Sequence, residues 1–184
     1  MKTKLAEQNI KYEGWQLCPH WIYKNFNIQG DSIVAFIGEC EVKLTEMVDI
    51  EDVINNEPIY SKSMLSFISE QFNIGLIEGV FRQRLLICTI KEALEKRGFK
   101  IIRNGDDLFF DGKKLTVSIA TKSHTSVLIH TGINIDSTDA PVNASGLTSE
   151  LGITDIENFA KEVMNNYAEE IDDIIMASTK VRGV

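Results

Sequence analysis

Charged residues stand at the ends of several short predicted strands within residues 103–135 (RNGDDLFFDGKKLTVSIATKSHTSVLIHTGINI). Asp106 and Asp107 open one strand, Lys113 and Lys114 open the next, and a Gly-Ile-Asn sequence closes the third. A purely structural hairpin array does not need so many charged groups at its strand ends. We therefore predict that this array contains the functional site.

Lys114 is the first candidate for a catalytic residue. It follows the pair Asp111-Gly112, which is a strong hairpin signal because both residue types tolerate positive φ. Its ammonium can then lie over one face of the sheet, where it can neutralise a carboxylate or a phosphoryl group whose charge grows in a transition state. The alternative is a solvated lysine beside a turn.

Asp106 and Asp107 precede the strand that pairs with the strand of Lys114. Successive side chains of a strand point to opposite faces, so only one of the two aspartates shares the face of Lys114. The register across the turn decides which one. Such an aspartate could orient the lysine, accept a ligand hydroxyl or hold a magnesium ion. The alternative is an aspartate that caps a turn.

Other residues of the array are candidates for ligand binding. Arg103 and Lys113 could hold a small carboxylate or phosphate, with ordinary solvation of turns as the alternative. Ser118 lies on the predicted strand 115–121. His130 lies in the middle of an apolar strand, where a lone histidine is more often a satisfied core residue than a ligand.

The chain gives no pattern typical of a metal site. Cys18, Cys40 and Cys88 are far apart and lack Cys-x-x-Cys spacing, so we predict neither disulfides nor a thiolate site. The acidic run is interpreted as a solvated face, and its members are Glu39, Glu41, Glu46, Asp49, Glu51 and Asp52. A metal-assisted hydrolase is kept as a further hypothesis, and it would use Asp106, Asp107 and Glu39.

Bulk composition narrows the class of protein. The 184 residues carry no linker-like tract and predict a single domain over 1–184. A formal net charge of −8 argues against nucleic acid as a partner. No apolar run approaches the roughly 18 residues of a membrane helix, and no signal peptide is evident, so we expect a cytoplasmic protein. The oligomeric state is left open, and a homodimer is one option.

The first half of the chain predicts a strand followed by a helix. Residues 32–44 are rich in β-branched and apolar types, and Gly38 marks a bulge or a close backbone approach within that strand. Ser61 or Ser63 can cap a helix that runs to about Phe72.

The second half predicts a helix over 77–97 that stops at Gly98, then hairpin-linked strands. A polar loop spans 136–146 and contains Pro141. A final amphipathic helix begins at Thr154 with a capping box. Together these elements predict an α+β fold with a mixed, largely antiparallel sheet packed with helices.

The order of these segments resembles the catalytic core of biotin and lipoate protein ligases. Those enzymes carry a Pro-Asn-Asp-Leu-Tyr type segment, a hairpin, an Arg/Lys-Lys-Leu segment and a strand that ends in Gly-Ile-Asn. The matching segments here are Arg103, Gly105-Asp106-Asp107-Leu108-Phe109, Gly112-Lys113-Lys114-Leu115 and Gly132-Ile133-Asn134-Ile135. The resemblance implies that Lys114 contacts both the acid and the nucleotide phosphate, with Asp107 as its catalytic partner and Asn134 as a ligand-binding residue. It also implies ATP and magnesium as candidate cofactors.

Two segments depart from the ligase pattern. The arginine- and glycine-rich loop that closes over the acyl-adenylate in the ligases is replaced by the acidic stretch after Gly38. The small residues that follow Lys-Leu in the ligases are replaced by Thr116-Val117. These departures keep a second hypothesis in play, namely a non-catalytic binding or scaffold domain that has lost the adenylating loop.

Over nearly its full length the chain resembles the family catalogued as domain of unknown function 366. Shared features are Pro19-His20-Trp21, the Gly-Asp-Asp-Leu-Phe and Lys-Leu-x-Val-Ser-Ile-Ala-Thr segments, and the ending Lys180-Val181-Arg182. The resemblance implies the ligase-like fold that is shared with class II aminoacyl-tRNA synthetases. The function predicted is a ligase-like or acyltransferase-like domain that binds a small carboxylate or nucleotide ligand at Lys114.

Overall fold

The computed structural model describes residues 1–138 and 142–183, which form two β-sheets with flanking helices. The strands are β1 Lys2–Leu5, β2 Ser32–Val42, β3 Ile59–Phe72, β4 Ile101–Asn104, β5 Asp107–Phe110, β6 Lys113–Lys114, β7 Thr116–Lys122 and β8 Ser126–Asp136. The helices are α1 Trp21–Phe26, α2 Ile50–Asn55, α3 Leu76–Glu95 and α4 Ile156–Thr179.

The larger sheet has the strand order β1-β2-β3-β8-β7, and the smaller sheet has the order β4-β5-β6. Strands β1 and β2 are parallel, whereas the other paired strands are antiparallel. The predicted α+β class with a mixed, largely antiparallel sheet is therefore confirmed. Among the described residues no helix combines the length and the apolar character needed to cross a membrane.

Strand β3 is central in the larger sheet, and it replaces the helix that was predicted from Ser61 or Ser63 to Phe72. That prediction is wrong for a physical reason. Most of β3 is buried on both of its faces, so its sequence reads as a nearly continuous apolar run without the alternation of a half-exposed strand. Such a run cannot be distinguished from a buried helix by periodicity alone.

The two faces of β3 belong to two separate cores. Leu65 and Phe67 pack in a cluster that includes Ile90 of α3 and Phe159 of α4. Burial of these large side chains supplies the main favourable free energy of folding. The helices α3 and α4 thus cover one face of the larger sheet.

The opposite face of β3 presents Met64 and Ile68, which pack with side chains from the N-terminal region. Those side chains include Tyr12 and Trp21, and Trp21 begins the short helix α1. The N-terminal segment, for which no element was predicted, supplies the edge strand β1 and part of the cover of this second core. The candidate site lies mainly on this face.

The predicted ends of the two long helices are nearly correct. Gly98 has φ of 88° and follows the last turn of α3, as expected for a left-handed stop. Helix α4 is capped by Asp155 rather than by Thr154, because the Asp155 carboxylate accepts a hydrogen bond from the Asn158 N–H at 3.1 Å. Pro141 of the predicted polar loop lies outside the described residues.

Gly38 marks both a register shift and a close backbone approach in β2. The pairing with β3 shifts between Gly38 and Cys40. A Cβ atom added at position 38 would lie 2.1 Å from the carbonyl oxygen of Ile10. Only glycine lets the N-terminal segment run this close to β2, so this residue fixes the path of the chain that covers the site.

Truncation of the central strand should be costly. We expect Phe67→Ala to lower the free energy of unfolding by about 3–5 kcal/mol, since the side chain of Phe67 on β3 is fully buried against the helices. The matched control is Phe81→Ala, whose side chain is 69% exposed and should change stability by less than about 0.5 kcal/mol. Chemical denaturation measures both, and similar losses in the two variants would contradict the assignment of Phe67 to the core.

Candidate functional site

The turn Asp111-Gly112 determines which side chains share a face of the hairpin. Both residues have positive φ, 49° and 74°, as two-residue hairpin turns require. The register therefore pairs Phe109 with Lys114. Because paired residues and alternate residues project to the same face, Asp107 lies on the face of Lys114.

Lys114 and Asp107 form an ion pair. The Lys114 Nζ lies 3.0 Å from the Asp107 Oδ2, and the two side chains are 37% and 30% exposed. A pair this accessible to water contributes little to stability, so its importance lies in holding the ammonium in place. The backbone of Lys114 is also held, because its N–H donates to the Asn143 carbonyl at 3.0 Å and its carbonyl accepts from the Ser145 N–H at 2.8 Å.

Asp106 forms no ion pair with Lys114 and is bound by helix α3. Its carboxylate accepts hydrogen bonds from Arg84 Nη1 at 2.8 Å and from Gln83 Nε2 at 2.9 Å. Burial raises the pKa of Asp106, and the positive charge of Arg84 opposes that rise. The two adjacent aspartates therefore have different partners, one a lysine of the hairpin and the other an arginine of the helix.

Gln83 links Asp106 to Ser118. The amide nitrogen of this buried glutamine also donates to Ser118 Oγ at 3.0 Å, and Ser118 Oγ lies 2.8 Å from Thr131 Oγ1. Sequence reasoning missed Gln83, because a single glutamine on a helix resembles any solvated helix residue. The only available signal was its position one turn before Leu86 on the buried face of α3.

A cavity of about 250 Å³ adjoins this hairpin, just below the range of about 300–1,000 Å³ that is usual for ligand sites. We call it the Lys114 cavity. Six of the predicted site residues line it, namely Asp106, Asp107, Lys114, Ser118, His130 and Asn134. The hairpin, strand β7 and strand β8 thus bring these side chains to one space.

Arg103 and Lys113 are not among the lining residues. Arg103 donates from Nη1 to the carbonyl of Gly105 at 2.6 Å, so it supports the turn before β5. The Lys113 Nζ lies 3.7 Å from a carboxylate oxygen of Glu150. Both predicted ligand-binding residues therefore face partners of their own outside the cavity.

His130 is buried at the wall of the cavity. Its ring stacks on that of Tyr12 with centroids 3.7 Å apart, and its Nε2 lies 3.3 Å from Ser66 Oγ. Burial lowers the pKa of His130 to about 3, so the imidazole is neutral near pH 7. A neutral, stacked ring of this kind can offer a hydrogen bond to a ligand but no positive charge.

The wall of the cavity is apolar toward the sheet and acidic toward the segment between β2 and β3. The apolar lining residues include Leu17, Val42, Met64, Val117 and Ile119. The opposite side carries four carboxylates that we call the acidic cover, Glu46, Asp49, Asp52 and Glu57. Three of these belong to the run that was interpreted as a solvated face, so that interpretation missed their position over a cavity.

Within the acidic cover, the pKa of Asp52 is shifted by burial and by the neighbouring charges. Burial raises the pKa of Asp52, and the negative charges of Asp49 and Glu57 raise it further, whereas Lys114 lowers it. The Asp49 carboxylate accepts a hydrogen bond from the Glu51 N–H at 2.8 Å and so caps helix α2. The cover thus holds like charges close together.

Glu39, a candidate of the metal-assisted hydrolase hypothesis, lies elsewhere. Its carboxylate is 3.2 Å from the Nζ of Lys11, and it is not a lining residue of the Lys114 cavity. Within residues 1–138 and 142–183 no three His, Cys, Asp or Glu side chains are grouped so that they could hold a metal ion.

The buried His130 should make stability depend on pH. Its folded pKa of about 3 is below the value of about 6.5 for an unfolded histidine, so the unfolded chain binds the proton first as pH falls. This contribution is complete above about pH 6.5 and is lost as the pH falls toward the folded pKa. Between about pH 7 and pH 5 it amounts to about 2 kcal/mol of unfolding free energy.

Denaturant titrations should therefore show a smaller loss of stability on acidification in His130→Gln than in the parent chain. In the parent chain, the NMR resonances of the His130 ring should not titrate over the same interval. A titrating His130 signal, or equal pH slopes in the two proteins, would contradict the neutral assignment.

Solved ligases share the fold of this chain. A lipoate protein ligase homologue of T. acidophilum with bound lipoic acid has a TM-score of 0.64 at 12% identity, covering 94% of this chain and 86% of that one. A mutant biotin protein ligase of Aquifex aeolicus in complex with biotin has a TM-score of 0.62 at 14% identity, covering 94% and 70%. At such identities the similarity establishes the fold alone.

Two other proteins are similar in sequence as well. A solved structure from Pyrococcus horikoshi has a TM-score of 0.93 at 39% identity, covering 100% of this chain and 98% of that one. An uncharacterised protein of Methanocaldococcus jannaschii is 40% identical over 180 residues, which is 95% of this chain and 81% of that protein. A family model matches residues 1–182. The chain therefore belongs to the family described as Domain of unknown function (DUF366) and has the biotin/lipoate ligase-like fold.

Proposed function

We propose that this chain binds a small carboxylate, or an acyl derivative of one, in the Lys114 cavity and acts as a ligase-like or acyltransferase-like domain. The observation that carries the proposal is the ammonium of Lys114, held by Asp107 at the polar end of a cavity with an apolar wall. A carboxylate needs a cationic partner when it leaves water, and an acyl chain needs apolar surface.

Each wall of the cavity has a separate task in this proposal. Lys114 neutralises the ligand carboxylate, while Asp107 holds the ammonium in place before the ligand arrives. Asn134 and Ser118 offer hydrogen bonds from β8 and β7. Met64 and Ile119 offer apolar surface on which the hydrocarbon part of the ligand can be buried away from water.

The lining does not fit a nucleotide triphosphate. ATP with magnesium is the cofactor that the ligase resemblance implies, and its phosphates need several cationic or N–H donors. The lining contributes six carboxylates and the single ammonium of Lys114. A triphosphate would therefore meet repulsion from the acidic cover, and we derive no step that passes through ATP.

A second candidate function is a non-catalytic binding domain. It is favoured by the acidic segment that stands in the place of the ligases' arginine- and glycine-rich loop, because this segment removes the donors that an adenylating enzyme needs. Ligand binding at Lys114 is common to both candidates. They differ in whether an acyl group is transferred from the bound acyl derivative to an acceptor.

Removal of the Lys114 ammonium should weaken the binding of acids. We expect Lys114→Ala to reduce the affinity for caproate, octanoate, lipoate or biotin, whichever binds the parent chain, by about 10- to 100-fold, because hydrogen bonds to charged groups contribute about 1.5–3 kcal/mol. The matched control is Lys113→Ala, which removes the same charge from the neighbouring position outside the cavity and should change affinity less than about twofold. Isothermal titration gives both values. Equal affinities in the parent and Lys114→Ala proteins would reject the role of Lys114.

Pyrophosphate release tests whether the bound acid is adenylated. We expect no release above background when the protein is incubated with ATP, magnesium and the same acids, since the acidic cover repels the triphosphate. Release that disappears in Lys114→Ala and persists in Lys113→Ala would show an adenylating enzyme and would overturn the binding-domain candidate.

A further inference from the structure

The charges around the Lys114 cavity are unbalanced. Two of the six lining carboxylates have cationic partners, since Asp107 pairs with Lys114 and Asp106 pairs with Arg84. The four carboxylates of the acidic cover form no ion pair within the part of the chain that the structure describes. Glu46 and Glu57 are exposed and Asp49 and Asp52 are partly buried. The charges of Asp49 and Glu57 repel that of Asp52, and a cation beside Asp52 would relieve that repulsion.

An independent feature of the cavity is an open polar position at Tyr12. The Tyr12 side chain is only 3% exposed and lines the cavity. Its ring stacks on that of His130, and its hydroxyl takes part in no side-chain hydrogen bond between the described residues. The hydroxyl is not among the fully enclosed polar atoms that lack a partner, so it keeps contact with open space and can accept a hydrogen bond from a ligand in the cavity. Burial raises the pKa of Tyr12, which keeps the hydroxyl neutral.

The spacing of the carboxylates and the Tyr12 hydroxyl favours an organic cation over a metal ion. Among the described residues no three potential ligands are close enough to form a metal site. A protonated amine makes separate hydrogen bonds to acceptors that are spread apart, such as carboxylates and a hydroxyl. The apolar wall formed by Met64, Val117 and Ile119 can accommodate methylene groups between two charged ends.

We infer that the ligand of the Lys114 cavity is a zwitterion, with a carboxylate at Lys114 and a protonated amine beneath the acidic cover. This inference rests on the proposed function for the carboxylate end and adds the amine end. The ligand class is therefore that of amino acids with an extended carbon chain. In such a ligand the amine supplies the positive charge that the arginine- and glycine-rich loop supplies in the ligases.

The test compares probes that differ only in the amine. Isothermal titration at neutral pH compares the affinities of caproate and ε-aminocaproate. A second pair, butyrate and γ-aminobutyrate, tests a shorter distance between the carboxylate and the amine. We expect the better zwitterion to bind the full chain at least about tenfold more tightly than its matching acid, as expected for an added hydrogen-bonded charge.

Charge removal from the acidic cover should abolish this preference. Asp52→Asn combined with Glu57→Gln should bring the ratio of the two affinities close to one and should leave the affinity for the simple acid equal or higher. The matched control is Glu51→Gln, which removes a charge from the same helix α2 outside the cavity lining and should preserve the ratio. Asp49 is kept intact because it caps α2.

The outcomes distinguish the inference from the function on which it rests. Equal affinities for acid and zwitterion, absence of binding by both zwitterions, or an unchanged ratio in Asp52→Asn/Glu57→Gln would overturn the inference. Magnesium–ATP that binds the parent chain and is lost in that double variant would also overturn it. If Lys114→Ala leaves every acid and zwitterion affinity unchanged while the double variant still loses the amine preference, the proposed function fails and the role of the acidic cover stands.

Discussion

The central strand β3 must be apolar on both faces, and the rest of the molecule follows from that constraint. One face is buried by the long helices α3 and α4, which pack Ile90 and Phe159 against it. The other face demands a second cover, which the N-terminal segment supplies with Tyr12 and Trp21. That second cover is thin and leaves a space beside the hairpin. The cavity thus lies on the face of the sheet that has no long helix to cover it.

Much of the site could be predicted from local chemistry. The pair Asp111-Gly112 indicates a two-residue turn, and such a turn pairs the residues on either side of it directly. Counting outward from it places Lys114 opposite Phe109 and therefore on the face of Asp107. The register that seemed undetermined in the sequence was thus already implied by the turn. The long helices and the array of strands were predictable for the same reason, since each depends on residues close together in the chain.

The features that could not be predicted depend on distant partners. The sequence of β3 lacks the alternation typical of a strand because both of its faces are buried. The position of Gln83 beside Asp106 depends on how α3 packs. The acidic residues between β2 and β3 gave the same local signal as a solvated face. Only the fold shows that Asp52 and Glu57 overlie a cavity. The ligase-like fold here therefore carries an acidic segment beside the cavity that its local sequence did not reveal.

Helix α2 contributes no buried residue to either core, although it carries part of the acidic cover. Its apolar side chains Ile50 and Ile54 are 74% and 77% exposed. Separation of this helix from the sheet therefore sacrifices little apolar contact, and it can open without disturbing β3. The sheet therefore holds many buried contacts, whereas α2 contributes no buried residue. Local opening of α2 would then be the least costly way for solvent to enter the cavity, and a cation bound to Asp52 would oppose that opening.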